Sequence, residues 1–135
     1  MTKVEYIVDG EKFNTLDEFY DTVSRVLIPG AFWGRNLDAF NDILRGGFGT
    51  PEGGFVLRWK NSAVSRERLG YAETIRWLER RLAHCILENR RSFGERLDLA
   101  RKETGSTLFD MLVGIVQDHC PGGVEEEDGV ELILE

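Results

Sequence analysis

The sequence predicts an α/β fold, a small three-stranded parallel sheet packed by helices. Two observations carry that expectation. Three short β-prone runs, at about residues 4–8, 55–59 and 130–134, stand apart from one another, and the stretches between them have the 3.6-residue apolar periodicity of helices. Helices between strands require crossover connections, and crossovers pair strands in parallel. The chain has 135 residues, 41% of them hydrophobic and 30% charged, which suits one domain, 1–135, with a core of its own.

Taken in order, Val4–Val8 reads as a strand and Asp9-Gly10 as the turn that ends it. Thr15 and Glu18 have capping-box spacing, followed by Leu16, Phe19, Tyr20, Val23, Val26 and Leu27 at helical intervals. Pro29-Gly30 closes that helix. Asn36 is an N-cap for a second helix whose apolar side is Leu37, Phe40, Ile43 and Leu44, and Gly46-Gly47 stops it. Phe55–Trp59 is apolar enough for a central strand. From about Tyr71 to Arg91 one amphipathic helix is expected, with Ala72, Ile75, Leu78, Leu82 and Ile86 on its stripe, and a shorter helical stretch from Ser92 to about Glu103. Thr107 caps a further helix carrying Leu108, Met111, Leu112, Ile115 and Val116 inward. Pro121-Gly122-Gly123 breaks it, and the acidic loop Glu125–Asp128 leads to the last strand.

The net charge of −7 is unevenly spread. Residues 1–57 sum to −4, 58–102 to +6 and 103–135 to −9. The only compositional boundary is this basic, helical insert at about 63–104. An acidic chain is a poor direct ligand for nucleic acid, because phosphates repel it, so no direct nucleic-acid contact is expected; it suits proteins that themselves bind nucleic acid. The basic segment leaves open a weaker reading, in which a continuous basic patch with an exposed Trp77 touches RNA. No apolar run approaches a membrane span, and Met1–Tyr6 lacks the apolar stretch of an export signal, so a cytoplasmic protein without membrane contact is expected.

Two cysteines, Cys85 and Cys120, each follow a histidine. Adjacent helical residues point about 100° apart, so a His-Cys dipeptide rarely chelates one ion, and no metal site is expected. The Gly-rich stretch Gly46–Gly54 lacks the Gly-Lys-Ser/Thr ending of a phosphate loop and opens no helix. No cofactor follows from it.

The most distinctive segment runs from Phe32 to Leu44. Two aromatics precede a capped helix on which Asp38 and Asp42 stand at i and i+4, with Asn41 and Arg45 on the same face. Asp38 sits at the favourable end of the helix dipole. Asp42 does not, and a like-charge pair at this spacing costs about 0.2–0.5 kcal/mol. A solvated polar face explains the pattern without function. An acid/base pair of an enzyme would also use two carboxylates, but no histidine, nucleophile or ligand cluster lies nearby in sequence, so no catalytic residue is assigned.

This segment resembles the barstar family of ribonuclease inhibitors: Phe32-Trp33-Gly34, then Asn36-Leu37-Asp38-Ala39-Phe40, and Asp42 one turn on. Val8-Asp9-Gly10, the Val56-Leu57-x-Trp59 strand and the final Val-Glu-Leu-Ile-Leu strand agree with it, so the resemblance covers about 1–62 and 105–135. It implies an intracellular inhibitor of a secreted guanyl-specific ribonuclease, not an enzyme. The second helix and its loop would enter the basic cleft of that ribonuclease through Phe32, Trp33, Gly34, Asn36, Asp38, Asn41 and Asp42. Asp42 would take a phosphate position, and Phe32 and Trp33 would supply aromatic contact area. The alternative the resemblance allows is an immunity or regulatory protein of the same fold that binds a different toxin or protein partner.

Overall fold

Three strands, β1 (Glu5–Asp9), β2 (Val56–Lys60) and β3 (Glu131–Leu134), form one sheet in the order β1-β2-β3, and both pairs run parallel. The computed structural model describes residues 3–135; Met1 and Thr2, the start of the segment read above for an export signal, lie outside the described residues. Among the described residues six α-helices connect and cover the strands: α1 (Leu16–Val26), α2 (Leu37–Leu44), α3 (Ser62–Arg68), α4 (Tyr71–His84), α5 (Leu87–Arg101) and α6 (Leu108–Asp118). No helix among the described residues is long and apolar enough to cross a membrane.

The strand register puts Tyr6 beside Leu57 and Val8 beside Trp59, with Leu132 next to Leu57 on the far side. Val8, Leu57 and Trp59 are buried, so this face holds the core. The opposite face is left to solvent. There Ile7 is 46% exposed, and Arg58 ties the strands together by pairing with Glu5 and with Glu135. Parallel sheets usually carry helices on both faces. Here a charged cross-strand ladder occupies the second one, so the helices gather on one side rather than all around the sheet.

The caps read from sequence are in place, with one variation. Thr15 Oγ1 accepts from the Glu18 N–H at 3.2 Å, but Glu18 Oε1 accepts from the N–H of Asn14, one residue earlier than a capping box prescribes. Thr107 and Asp110 form the full reciprocal box at the start of α6. A glycine is required at Gly54, where φ is +98° and an added Cβ would lie 2.2 Å from the Gly129 carbonyl oxygen. The loops entering β2 and β3 touch there.

The segment 63–104 differs from expectation in two ways. Residues Ser62–Arg68 form α3, a polar helix without apolar periodicity. The single helix expected over 71–91 is instead two, broken at Cys85 and Ile86, whose ψ angles of 157° are extended. Neither Gly nor Pro marks the break. Its cause is tertiary: folding back lets Leu78 of α4 meet Leu97 and Ala100 of α5, with Ile75, Leu82 and Phe93 around them. Ala72 and Ile86, placed on the expected stripe, are exposed, and Ile86 at the turn is 63% exposed.

This hairpin is bonded into the domain at the start of α4. The carboxylate of Glu73, 5% exposed, accepts the N–H of Leu16 at 2.8 Å, satisfying a free donor at the start of α1. Thr74 Oγ1 does the same for the buried N–H of Leu108 in α6, also at 2.8 Å. Replacing Thr74 with Val strands that donor, which costs about 1–3 kcal/mol. The urea midpoint of Thr74→Val should therefore fall with an unchanged slope; an unmoved midpoint would show the contact to be idle.

Candidate functional site

The site is built on α2. Asn36 Oδ1 accepts the Ala39 N–H at 2.7 Å, and this cap fixes where the helix begins. Phe40, Ile43 and Leu44 are fully buried, which commits one side of a short helix to the core. Helical geometry then turns Asp38 and Asp42 outward together, and both are exposed.

The preceding loop is held by three devices. Gly34 leaves room for the cap, since a Cβ there would stand 3.2 Å from Asn36 Nδ2 and 3.3 Å from Ala39 Cβ. Arg35 takes the left-handed conformation, φ 50°, and its guanidinium donates to Asp21 Oδ1 at 2.7 Å and to the Asp17 carbonyl at 3.3 Å, fastening the loop to α1. Trp33 packs edge-on against Tyr20, centroids 5.4 Å apart, and its Nε1–H donates to Ser24 Oγ at 2.8 Å.

The two aromatics read as a pair therefore separate. Phe32 is completely exposed, whereas Trp33 is 9% exposed and anchors the loop from beneath. Of the two, only Phe32 offers an exposed ring. Asn41 also turns inward. Its Oδ1 lies 2.6 Å from Nε2 of His119, a ring with no exposed surface, and His119 Nδ1 lies 2.6 Å from Asp128 Oδ2. Asn41 can serve either histidine tautomer, because its amide offers an oxygen in one orientation and an NH2 in the other. Of the seven residues read from sequence, five are exposed: Phe32, Asp38 and Asp42 present their side chains to solvent and Gly34 and Asn36 shape the backbone, while Trp33 and Asn41 fix the helix to the body.

The network links Arg45, read on the same face as Asp42, to the acidic loop near the C-terminus, a contact that the sequence did not reveal. Arg45 donates to Asp42 Oδ1 at 2.5 Å, and its Nε and NH2 take both oxygens of Glu125 at 2.8 and 3.1 Å. The hydrogen bond from Arg45 holds the Glu125 carboxyl below the usual glutamate range and raises the guanidinium in turn. The acidic loop seen in sequence is thus docked against α2. No local pattern reveals that, because Glu125 stands 80 positions from Arg45.

His119, Glu125 and Asp128 place ligand-type atoms within 4.8 Å of one another. Their atoms already have partners in Asn41, Arg45 and each other, so hydrogen bonds and ion pairs account for the cluster. His84, Cys85 and Cys120 are not part of it. An acid/base pair needs enclosed carboxylates near other reactive groups; Asp38 and Asp42 are open to solvent.

Residues 4–98, more than two-thirds of the chain, match the family model described as Barstar (barnase inhibitor). The matched span runs from before β1 into α5 and contains the whole of α2 and its loop. A comparison with curated proteins finds no match.

Because the folded pKa of Glu125 is depressed, its contribution to stability is present above the ordinary glutamate pKa and is lost as pH falls through the lowered value. Glu125→Gln should therefore show a flatter loss of stability on acidification than the parent chain, read from urea midpoints between neutral and strongly acid pH. Parallel curves would show that the Arg45–Glu125 fork adds nothing.

Proposed function

The chain belongs to the barstar family, and on that premise we propose that it is an inhibitor that blocks the active-site cleft of a secreted guanyl-specific ribonuclease with α2 and its preceding loop. The observation that carries this reading is the joint exposure of Asp38 and Asp42 on a helix whose other side is committed to the core. Such a ribonuclease grips an RNA backbone with cationic side chains. Two carboxylates one helical turn apart offer those cations what successive phosphates offer, on a rigid support that has already lost its conformational freedom.

The roles divide by what each side chain is free to do. Asp42 accepts charge-assisted hydrogen bonds from the cleft. Arg45 engages its Oδ1, and Oδ2 has no hydrogen-bond partner among the described residues. Asp38 adds a second negative charge at the helix N-terminus. Phe32 offers a fully exposed ring at the edge of the surface, of the kind that fills pockets in interfaces. Gly34, Asn36, Trp33 and Asn41 act through these three by holding the loop and helix in place. The net charge of −7 favours encounter with a basic enzyme and makes the association rate fall with salt.

Asp42→Ala separates binding from folding. The Asp42–Arg45 pair is exposed, with side-chain accessibilities of 52% and 44%, so its loss should change stability by about 0.5 kcal/mol or less. Arg45 keeps its fork to Glu125. In the complex the same carboxylate is desolvated against cations, where truncation costs about 2–5 kcal/mol. The measurement is urea unfolding beside inhibition of a guanyl-specific ribonuclease. Unimpaired inhibition by Asp42→Ala, or no inhibition by the parent chain, would overturn the proposal.

A further inference from the structure

Beside the acidic face of α2 lies a groove of about 780 Å³, bounded by α1, the start of α2 and the α4–α5 hairpin. Its chemistry is unlike that of the neighbouring face. Trp77 and Phe93 are half-buried in its wall, and the guanidinium groups of Arg81 and Arg96 lie over both rings. Arg81 stands 5.9 Å from the Trp77 centroid and 5.3 Å from that of Phe93; for Arg96 the distances are 5.4 and 5.7 Å. Stacking engages the flat face of a guanidinium and leaves its N–H edge for an acceptor. Among the described residues neither Arg81 nor Arg96 pairs with a carboxylate, and Arg96 donates one N–H only to the weak acceptor Met111 Sδ at 3.6 Å, whereas Arg35 and Arg80 in the same groove hold Asp21 and Asp17.

Two unneutralised donor forks set on two aromatic rings answer a particular ligand: several anionic oxygens joined to a flat heterocycle. We propose that this groove binds a nucleoside phosphate. The phosphate oxygens sit on the N–H edges of Arg81 and Arg96, and the base lies against the Arg-capped Trp77–Phe93 wall, since bases stack on aromatic rings and on guanidinium planes alike. A free mononucleotide and the terminal nucleotide of an RNA strand share this chemistry. An acidic peptide would use the charges but leave the rings unanswered. The hairpin wall of the groove belongs to the segment 58–102, whose charge of +6 is local, while the chain's −7 resists a long strand lying across the molecule.

Asn36, Leu37 and Asp38 border both this groove and the outward face of α2. A nucleotide there brings negative charge beside Asp38, so nucleotide and any protein bound on α2 must change each other's affinity reciprocally. The free chain, with nothing bound on α2, already presents the whole nucleotide site.

The test is calorimetric titration of the full chain with 5′-GMP, 5′-AMP, inorganic phosphate, a short single-stranded oligoribonucleotide and an acidic peptide. The mononucleotides should bind saturably and at least about tenfold more tightly than phosphate, because phosphate lacks the ring contacts. R81A/R96A should weaken nucleotide binding by about tenfold or more, each lost bond being to a charged group. R81K/R96K, which retains charge and fold but not the forks, should also weaken it and serves if the alanine pair melts early. D42A should bind nucleotide as the parent does. Equal affinities for oligonucleotide and mononucleotide identify the free nucleotide as the ligand, and a tighter oligonucleotide identifies a strand end. No saturable nucleotide binding, phosphate binding as tightly as nucleotide, binding untouched by both double variants, or binding of the peptide in place of nucleotide would each overturn the proposal.

Discussion

The position of Trp59 on the middle strand is the constraint on which the rest of the structure depends. Its ring is fully buried, stacks on Phe19 at 5.4 Å and 21°, and meets Phe13 and Phe109 at 6.3 and 5.3 Å. Its Nε1–H donates to Ser65 Oγ at 2.9 Å. One side chain therefore joins α1, α3 and α6 to the sheet and satisfies its own polar atom. Phe19 carries the contact on to Phe40 of α2, 5.4 Å away and nearly perpendicular. The acidic face looks outward because the opposite face of α2 belongs to this aromatic chain.

A polar clamp completes what the apolar core begins. The buried His119 ring, between Asn41 and Asp128, joins α2 to the end of α6 and to the loop before β3. Arg45 adds the fork to Glu125 on the same loop. Helix α2 has only eight residues, too few to be stable alone, so its rigidity must come from such contacts. Charge is then sorted by place. Acidic groups collect on α2 and the C-terminal loop, basic ones on the α4–α5 hairpin, and the two regions meet at Asp38. Surfaces of opposite sign are thus neighbours on one small domain.

What was legible in the sequence followed local rules. Asn36, Thr15 and Thr107 each cap the helix they were expected to cap, because capping depends on three or four adjacent residues. The three strands stand within a residue of their expected limits, and the i, i+4 spacing placed Asp38 and Asp42 on one exposed face. What was not legible depended on distant partners. The break at Cys85-Ile86 is set by the packing of Leu78 on Leu97 and Ala100, and nothing at the break announces it. Trp33 and Phe32 are neighbours with opposite fates, decided by Tyr20 and Ser24 on another helix. Asn41 has the helical phase of an outward residue and is turned in by a histidine 78 positions away.

The most direct measurement of the central claim, that α2 and its loop are the surface a basic ribonuclease covers, is an amide hydrogen-exchange footprint of the chain with and without a guanyl-specific ribonuclease. New protection is expected across residues 32–45, where the loop and α2 lie, with the exposed sheet face around Arg58 unchanged. Protection confined to the sheet face or to α5, with 32–45 exchanging as in the free chain, would contradict it.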